Sequence, residues 1–374
     1  MNKFDVIIVG GGLAGLTAAL DLTKRGFTVL VFEKQRYPHH KVCGEYVSNE
    51  IQPYLEHLGV FLDQANAVVI DTFQLSTVKG KSLKVKLPIG GKGISRHAFD
   101  YLLYKNAISK GVTFVFENVD SIAFKNGAFT VKSGLSETYM STLVIGAYGK
   151  RSSLDKQLHR GFIQDKSSWL GVKAHYKLDS FPDNLVALHN FRGGYGGLSK
   201  TETGVINFCY LVSYESFKQE KKVVDFNKNV LVKNPFLATF LKEAIPLFDQ
   251  PLSIAQISFQ PKKAVENHVL MCGDTASLIH PLCGNGMAMA MHSSKIACEI
   301  IQNYMDGIYD RTYMEKEYQK QWTAVFKRRL WAGKQLQKIM LREDLSNFAM
   351  GTVAKSPRLL KSIISKTHGK PVIC

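Results

Sequence analysis

The segment Gly10-Gly11-Gly12-Leu13-Ala14-Gly15 follows the apolar run Val6-Ile7-Ile8-Val9 and opens an apolar-periodic stretch that ends at Gly26. A second apolar run, Thr28 to Phe32, closes on Glu33, eighteen residues after Gly15. Each glycine answers a separate need. Gly10 permits the tight turn, Gly12 lets backbone approach a pyrophosphate, and Gly15 lets helix and strand pack closely. The helix that starts here offers unpaired N–H groups and a positive dipole end. Glu33 stands where a carboxylate takes ribose hydroxyls. Alone, the glycine spacing says little, but with both strands and the acid in place it reads as a dinucleotide site.

At 374 residues the chain can bury a large core in two subdomains plus an appendage, and 45% hydrophobic with 21% charged residues is a globular composition. No apolar run approaches the roughly 18–20 residues that span a bilayer. The first apolar run meets the glycine turn too soon for a signal peptide. Cys43, Cys209, Cys272, Cys283, Cys298 and Cys374 form no CxxC pair and no zinc spacing, so they read as reduced thiols of a cytoplasmic protein. No metal site is expected, and the His39-His40 pair has no third ligand nearby in sequence.

The net charge is +17, and residues 311–374 carry fourteen Lys/Arg against four Asp/Glu. Trp322, Val325, Phe326, Leu330 and Leu336 fall at helical spacing and read as a packing stripe. Leu359, Leu360, Ile363 and Ile364, flanked by Lys355, Arg358, Lys361, Lys366 and Lys370, have the pattern of an interfacial amphipathic helix. Two readings stand equally: peripheral contact with the inner face of an anionic membrane, or a solvated basic face. No nucleic-acid motif is present, and no nucleic-acid partner is expected.

The pattern divides the chain into a nucleotide domain in three parts (1–67, 96–168 and 263–305), substrate-domain strands at 68–95, a substrate sheet at 169–262 and a basic helical region at 306–374. Strands are predicted at Val68–Ser76 and Ser82–Leu87, a helix from Arg96 to Ile108, and a hairpin turn at Asn126-Gly127. Leu143–Gly146 and Val269–Cys272 read as buried parallel strands. Trp169–Tyr176, Leu185–Phe191 and Gly204–Val212 read as strands around the glycine-rich Gly193–Gly197 segment. The expected class is therefore α/β: a Rossmann-type domain with an inserted antiparallel sheet and a helical C-terminal region.

A second motif runs from Cys272-Gly273-Asp274 to His280-Pro281 and Gly284-Asn285-Gly286-Met287. A carboxylate after a buried strand can accept from ribityl or ribose hydroxyls. The Gly284–Gly286 turn exposes the N–H groups of a following helix, and a helix N-terminus favours the negative charge of a reduced flavin.

Together these residues, with Arg96-x-x-Phe99-Asp100-x-x-Leu103 and Gly146–Ser152, resemble the flavoprotein family of geranylgeranyl reductases, aromatic-ring hydroxylases of the para-hydroxybenzoate type and flavin-dependent halogenases. The resemblance covers roughly residues 1–305. It implies FAD as cofactor, bound by Gly10, Gly12, Leu13, Ala14, Gly15, Glu33, Lys34, Lys41, Cys43, Gly44, Arg96, Val119, Gly149, Gly273, Asp274, Pro281, Gly284, Asn285, Gly286 and Met287. Of these, Val119 would meet the adenine. Pro38-x-x-Lys41-x-Cys43-Gly44 is most similar to the reductase branch, in which that cysteine lies beside the flavin. The paired tryptophans of halogenases are missing. Tyr148-Gly149 replaces the family's Asp–Gly pair, and Gly194-Tyr195-Gly196-Gly197 replaces the aromatic-proline signature of prenyl reductases.

Cys43 and Tyr195 are the candidate catalytic residues, one as proton donor and the other as a ring projecting into a substrate cavity. No second glycine fingerprint exists, so NAD(P)H, the expected electron donor, would dock transiently. The preferred activity, on the Lys-x-Cys-Gly loop, is reduction of a carbon–carbon double bond in a small hydrophobic substrate of prenyl, polyene or other lipid-like kind. The alternative is a monooxygenase that hydroxylates a phenolic or polyketide-derived substrate through a C4a-hydroperoxyflavin, and the third reading is a non-catalytic flavin-binding protein.

Overall fold

The structure, a computed structural model, describes residues 2–134, 137–164, 167–278, 280, 284–354 and 369–373. Pro281, Cys283, Cys374 and the strip from Leu359 to Ile364 lie outside them.

The Val6–Val9 run forms the middle of a sheet, where Val6, Ile7 and Ile8 are wholly buried. The strands lie in the order Val265–Glu266, Val269–Met271, Glu137–Gly146, Asn2–Val9, Val29–Phe32 and Thr113–Val115. All neighbours are parallel except the first pair. A strand buried on both faces reads as a continuous apolar run, which is why these segments show no alternation. The antiparallel strands Val119–Lys125 and Ala128–Ser133 extend the sheet beside Glu137–Gly146. Asn126 and Gly127, both at positive φ (51° and 80°), make their two-residue turn. The Leu13–Lys24 helix packs against both Arg96–Ser109 and Gly286–Met305.

The second sheet runs in the order Ile245–Pro246, Trp169–Lys177, Ile206–Ser213, Gly194–Lys200, Leu185–Phe191, Val68–Ser76, Ser82–Gly93 and Tyr46–Ser48. Only Leu185–Phe191 and Val68–Ser76 pair in parallel. Two elements differ from the sequence reading. The strand from Ser82 passes Leu87 and continues to Gly93, through Gly90 at φ 63°, opposite a register shift between Ile70 and Thr72. The glycine-rich segment, read as flanked by strands, is itself an interior strand. Neighbouring chain comes too close for side chains there: a Cβ on Gly194 would lie 2.1 Å from the Leu211 carbonyl oxygen, and one on Gly196 2.7 Å from the Phe208 ring.

The basic region forms the helices Arg311–Met340 and Glu343–Ala354. Trp322 and Phe326 of the predicted stripe are buried, and Val325 and Leu330 pack partly against the same core. Tyr318 Oη donates to the Met271 carbonyl at 2.7 Å, which ties the first helix to the nucleotide sheet. Its far end reaches the second sheet, where Asn190 Nδ2 donates to the Met340 carbonyl (3.0 Å) and Ser346 Oγ (2.9 Å). Among the described residues no helix is long and apolar enough to cross a membrane.

Candidate active site

The glycine turn is fixed by contacts that leave no room for a side chain. Gly10 has φ 109°, and a Cβ there would lie 2.3 Å from the Ala147 carbonyl oxygen. A Cβ on Gly15 would lie 1.9 Å from the Gly10 carbonyl oxygen. Gly12 is different. Its Cβ would meet only Arg96 Nη2, at 3.7 Å, so this backbone borders open space. Glu33, nearly buried, accepts from the Gly11 N–H at 2.9 Å, and Tyr37 Oη donates to the Gly11 carbonyl at 2.5 Å.

The loop from Lys41 to Glu45 is pinned from two directions. From the substrate sheet, Lys173 Nζ donates to the Lys41 carbonyl (3.2 Å), Asn207 Nδ2 to the Cys43 carbonyl (3.1 Å) and Ser199 Oγ to the Gly44 carbonyl (3.5 Å). From the nucleotide side, buried Asp100 receives Arg96 Nε (2.6 Å), Arg96 Nη2 (2.8 Å) and Lys41 Nζ (2.9 Å). Burial alone would raise the Asp100 pKa, but the charges of Arg96 and Lys41 outweigh it and hold the carboxyl below its usual range. The Arg96 guanidinium also reaches the Cys43 side chain.

The Asp274 loop joins these parts. Thr275 Oγ1 accepts from the Gly149 N–H at 2.8 Å, and Ser293 Oγ accepts from the Gly273 N–H at 2.8 Å. Lys262 Nζ donates to the carbonyls of Lys150 (3.0 Å) and Asp274 (2.9 Å), and burial, with the nearby Arg160 charge, lowers its pKa to about 8. Tyr148, where the family has an acid, turns away to donate to Asp155 Oδ1 at 3.1 Å, beside Arg160. Gly149 and Lys150 are left facing the interior.

A cavity of about 260 Å³ runs between the two sheets. Of the sequence-predicted residues, Gly12, Leu13, Ala14, Cys43, Gly44, Arg96, Gly149, Tyr195, Gly273, Asp274, Gly284, Gly286 and Met287 line it. Gly10 and Gly15 lie behind it as spacers, Glu33 and Lys41 are engaged as above, and Lys34 is exposed. Val119 is buried at the start of its strand, and Asn285 is buried at the N-cap of the Gly286–Met305 helix. Glu45, Tyr46, Lys150 and Cys209 line the cavity unpredicted. Glu45 and Tyr46 directly follow the Cys43-Gly44 motif, whereas Cys209 enters only through its strand pairing with Gly197. The far wall is apolar, built from Leu188, Leu211, Ile257 and Leu278 around Tyr195, with Met340 packed in the same cluster.

Residues 3–325 match the FAD binding domain family. The chain belongs to that family. It is an FAD-dependent oxidoreductase. A digeranylgeranylglycerophospholipid reductase of Methanococcus vannielii is 23% identical over 343 residues, covering 85% of this chain and 84% of its own length. A flavin-dependent brominase structure superposes with a TM-score of 0.82 at 18% identity, covering 98% of this chain and 93% of its own. A probable FAD-dependent monooxygenase of Pseudomonas aeruginosa gives 0.75 at 14% identity, covering 92% and 98%. One fold thus carries several reactions, and the site must decide among them.

The residues present fit FAD. Beside the open space at Gly12, Cβ atoms on Gly44 and Gly149 would meet nothing within 4 Å, so three backbone stretches cradle a volume that side chains would fill. Gly12, as N-cap of the Leu13–Lys24 helix, supplies no side-chain cap, which leaves the first-turn N–H groups for a pyrophosphate. Tyr46 keeps a buried hydroxyl without a hydrogen-bond partner among the described residues.

Proposed function

We propose that the protein reduces a carbon–carbon double bond of a hydrophobic, prenyl- or polyene-like substrate with electrons from NAD(P)H. The observation that carries this reading is the Cys43 thiol in one cavity with the glycine turn and the apolar wall of Leu188, Leu211, Ile257 and Leu278. FAD, held by the glycine turn, the Cys43 loop and the Gly273–Asp274 loop, would supply the hydride chemistry between nicotinamide and carbon. The neighbouring carbon then needs a proton, and Cys43 is the donor placed for it. The Arg96 guanidinium, which Asp100 holds by two bonds, fixes the place of the Cys43 side chain. The apolar wall binds the chain and keeps water from the reacting carbon. An accessible thiol would itself be oxidised by oxygenating chemistry in the same chamber, which favours the reductase over the hydroxylase. The reductase among the relatives supports the same substrate class.

Long-chain substrates reside in membranes, and Trp331, 66% exposed on the basic Arg311–Met340 helix, is the contact we assign to that surface. Binding to anionic vesicles that falls with salt and on Trp331→Ala would bear this out.

The test is anaerobic reoxidation of the reduced holoenzyme by a polyprenyl lipid, with the product two hydrogens heavier. Cys43→Ser should keep its FAD and turn over about 10²-fold more slowly, the scale of lost general acid catalysis. Substrate-dependent consumption of oxygen with an oxygenated product would replace this reading with the hydroxylase.

A further inference from the structure

Beneath the Cys43 loop lies a cluster of ionisable side chains that the proposed chemistry leaves unused. Glu45 and Lys173 are both fully buried and form an ion pair. Glu45 Oε2 also accepts from His175 Nε2 at 2.8 Å, and Oε1 accepts from the Arg96 backbone N–H at 2.7 Å. His40 meets His175 edge to face, with ring centroids 5.0 Å apart, and stacks at 4.7 Å on the half-buried His97. Phe248 covers both His40 and His175, each at 4.9 Å. Glu45 itself has φ 55°, a conformation that costs a non-glycine residue energy and persists where the surroundings impose it.

We propose that His97, His40, His175 and Glu45 form a proton path between solvent and the cavity, with Lys173 as the fixed counter-charge of Glu45. Glu45 is the inner end, since it lines the cavity and the histidines do not. The ligating atoms of His40, Glu45 and His175 all lie within 4.8 Å of one another, a separation that direct contact or one water molecule spans. His40 Nδ1 is buried with no hydrogen-bond partner among the described residues, so it can serve such a water. Two histidines and a carboxylate could also ligate a metal, but the Lys173 ammonium already supplies the positive charge at Glu45.

The charged and titratable groups facing this path come from one loop, one helix and two strands, while the segment of Phe248 covers it with an apolar ring. They are Lys41 and Cys43 from the loop, Arg96 and His97 from the Arg96–Ser109 helix, Lys173 from the strand of His175, and Cys209 from the strand beside it. Burial, then the charges of Lys173, His175 and His97, lower the His40 pKa to about 4, so His40 rests neutral and passes protons on without storing them. Burial would raise the Glu45 pKa, but His175 and Lys173 bring it below its usual value, so the resting carboxylate is ionised and ready to accept.

Such a path has a use in the balance of the reaction. NAD(P)H gives a hydride and becomes NAD(P)⁺, while two hydrogens end up either on a reduced double bond or in water, so with either acceptor each turnover draws one proton from solvent. The proposal rests on the family assignment and not on the choice of acceptor. It is therefore tested without substrate. Photoreduced holoenzyme is mixed with ferricyanide in weak buffer, and flavin colour and proton release to an indicator dye are followed together. Each flavin gives two electrons to two ferricyanide ions, and its protons leave to solvent.

In the native protein, proton release should keep pace with the colour. In His40→Asn it should lag by about 10²-fold, and millimolar imidazole should restore it. His175→Asn should behave alike, and His40→Asn, at the half-buried end, serves if His175→Asn loses its FAD. Synchronous release in His40→Asn would overturn the proposal and leave the double-bond reading untouched. Failure of every polyprenyl lipid to reoxidise the flavin would sink that reading and leave the path standing.

Discussion

The two walls of the cavity are built on different principles. The nucleotide wall is made of backbone: Gly12, Gly44, Gly149 and Gly273 face the cavity, and the spacers Gly10 and Gly15 stand behind. The substrate wall is made of side chains, and its polar residues Lys173, Asn207 and Ser199 reach over to hold the carbonyls of the loop between the walls. A backbone wall tolerates almost no change at a few positions and much change elsewhere. A side-chain wall can be rewritten residue by residue, which is how one fold comes to serve a reductase, a brominase and a monooxygenase.

The largest expected effect lies in the backbone wall. Gly15→Ala puts a methyl against the Gly10 carbonyl, and overpacking of this kind should cost about 3 kcal/mol or more. The purified protein should lack flavin colour, and a yellow, native-like Gly15→Ala protein would erase the contrast between the walls. Next comes Lys173→Met, which removes the counter-charge of the buried Glu45 carboxylate and should lower stability by about 3 kcal/mol, the lower end for such a loss because His175 and the Arg96 N–H still hold Glu45. Urea denaturation should show most of that recovered in the double variant Lys173→Met with Glu45→Gln.

Acid should weaken both walls over the same range. Burial lowers the pKa of His189, in the substrate sheet, and of His292, in the nucleotide helix, to about 4, with Arg329 and Lys295 adding to the shift at His292. Both values lie below the unfolded value of about 6.5, so the unfolded chain binds more protons in between. Their contribution is full above about pH 6.5 and is lost as pH falls toward 4. Urea midpoints measured through that range should decline, and His189→Gln should flatten the slope by about one proton. A flat profile would mean that these rings are solvated. The smallest effect is Tyr148→Phe, which removes the hydroxyl that donates to Asp155 (3.1 Å) and accepts from Arg160 Nη1 (3.4 Å), and it should cost about 1 kcal/mol with FAD content unchanged.

Legibility in the sequence followed the same division. The glycine turn, Glu33 and the hairpin at Asn126-Gly127 could be read locally because backbone geometry there demands particular residues in succession. The run of Gly193–Gly197 misled for a related reason. Glycine marks close approach of chain to chain, and whether that makes a turn or a strand depends on Leu211 and Phe208, which arrive later. The partners of His40 are farther still. His175 lies on a strand more than a hundred residues away, so no local spacing announces it. One signal was present: Lys173 interrupts the otherwise apolar stretch Gly171-Val172-Lys173-Ala174, and a lysine inside such a strand asks for a buried acid.

The closeness of Gly10 to Ala147 also sets an order of events during synthesis. The glycine turn leaves the ribosome well before the strand that closes over it, which ends at Gly146, and the Gly273–Thr275 loop follows later still. The nascent chain therefore carries an unfinished nucleotide pocket until that loop has been made. The whole cradle exists only in a chain that already contains both sheets and the Gly273–Thr275 loop, so a shorter growing chain offers FAD a partial site.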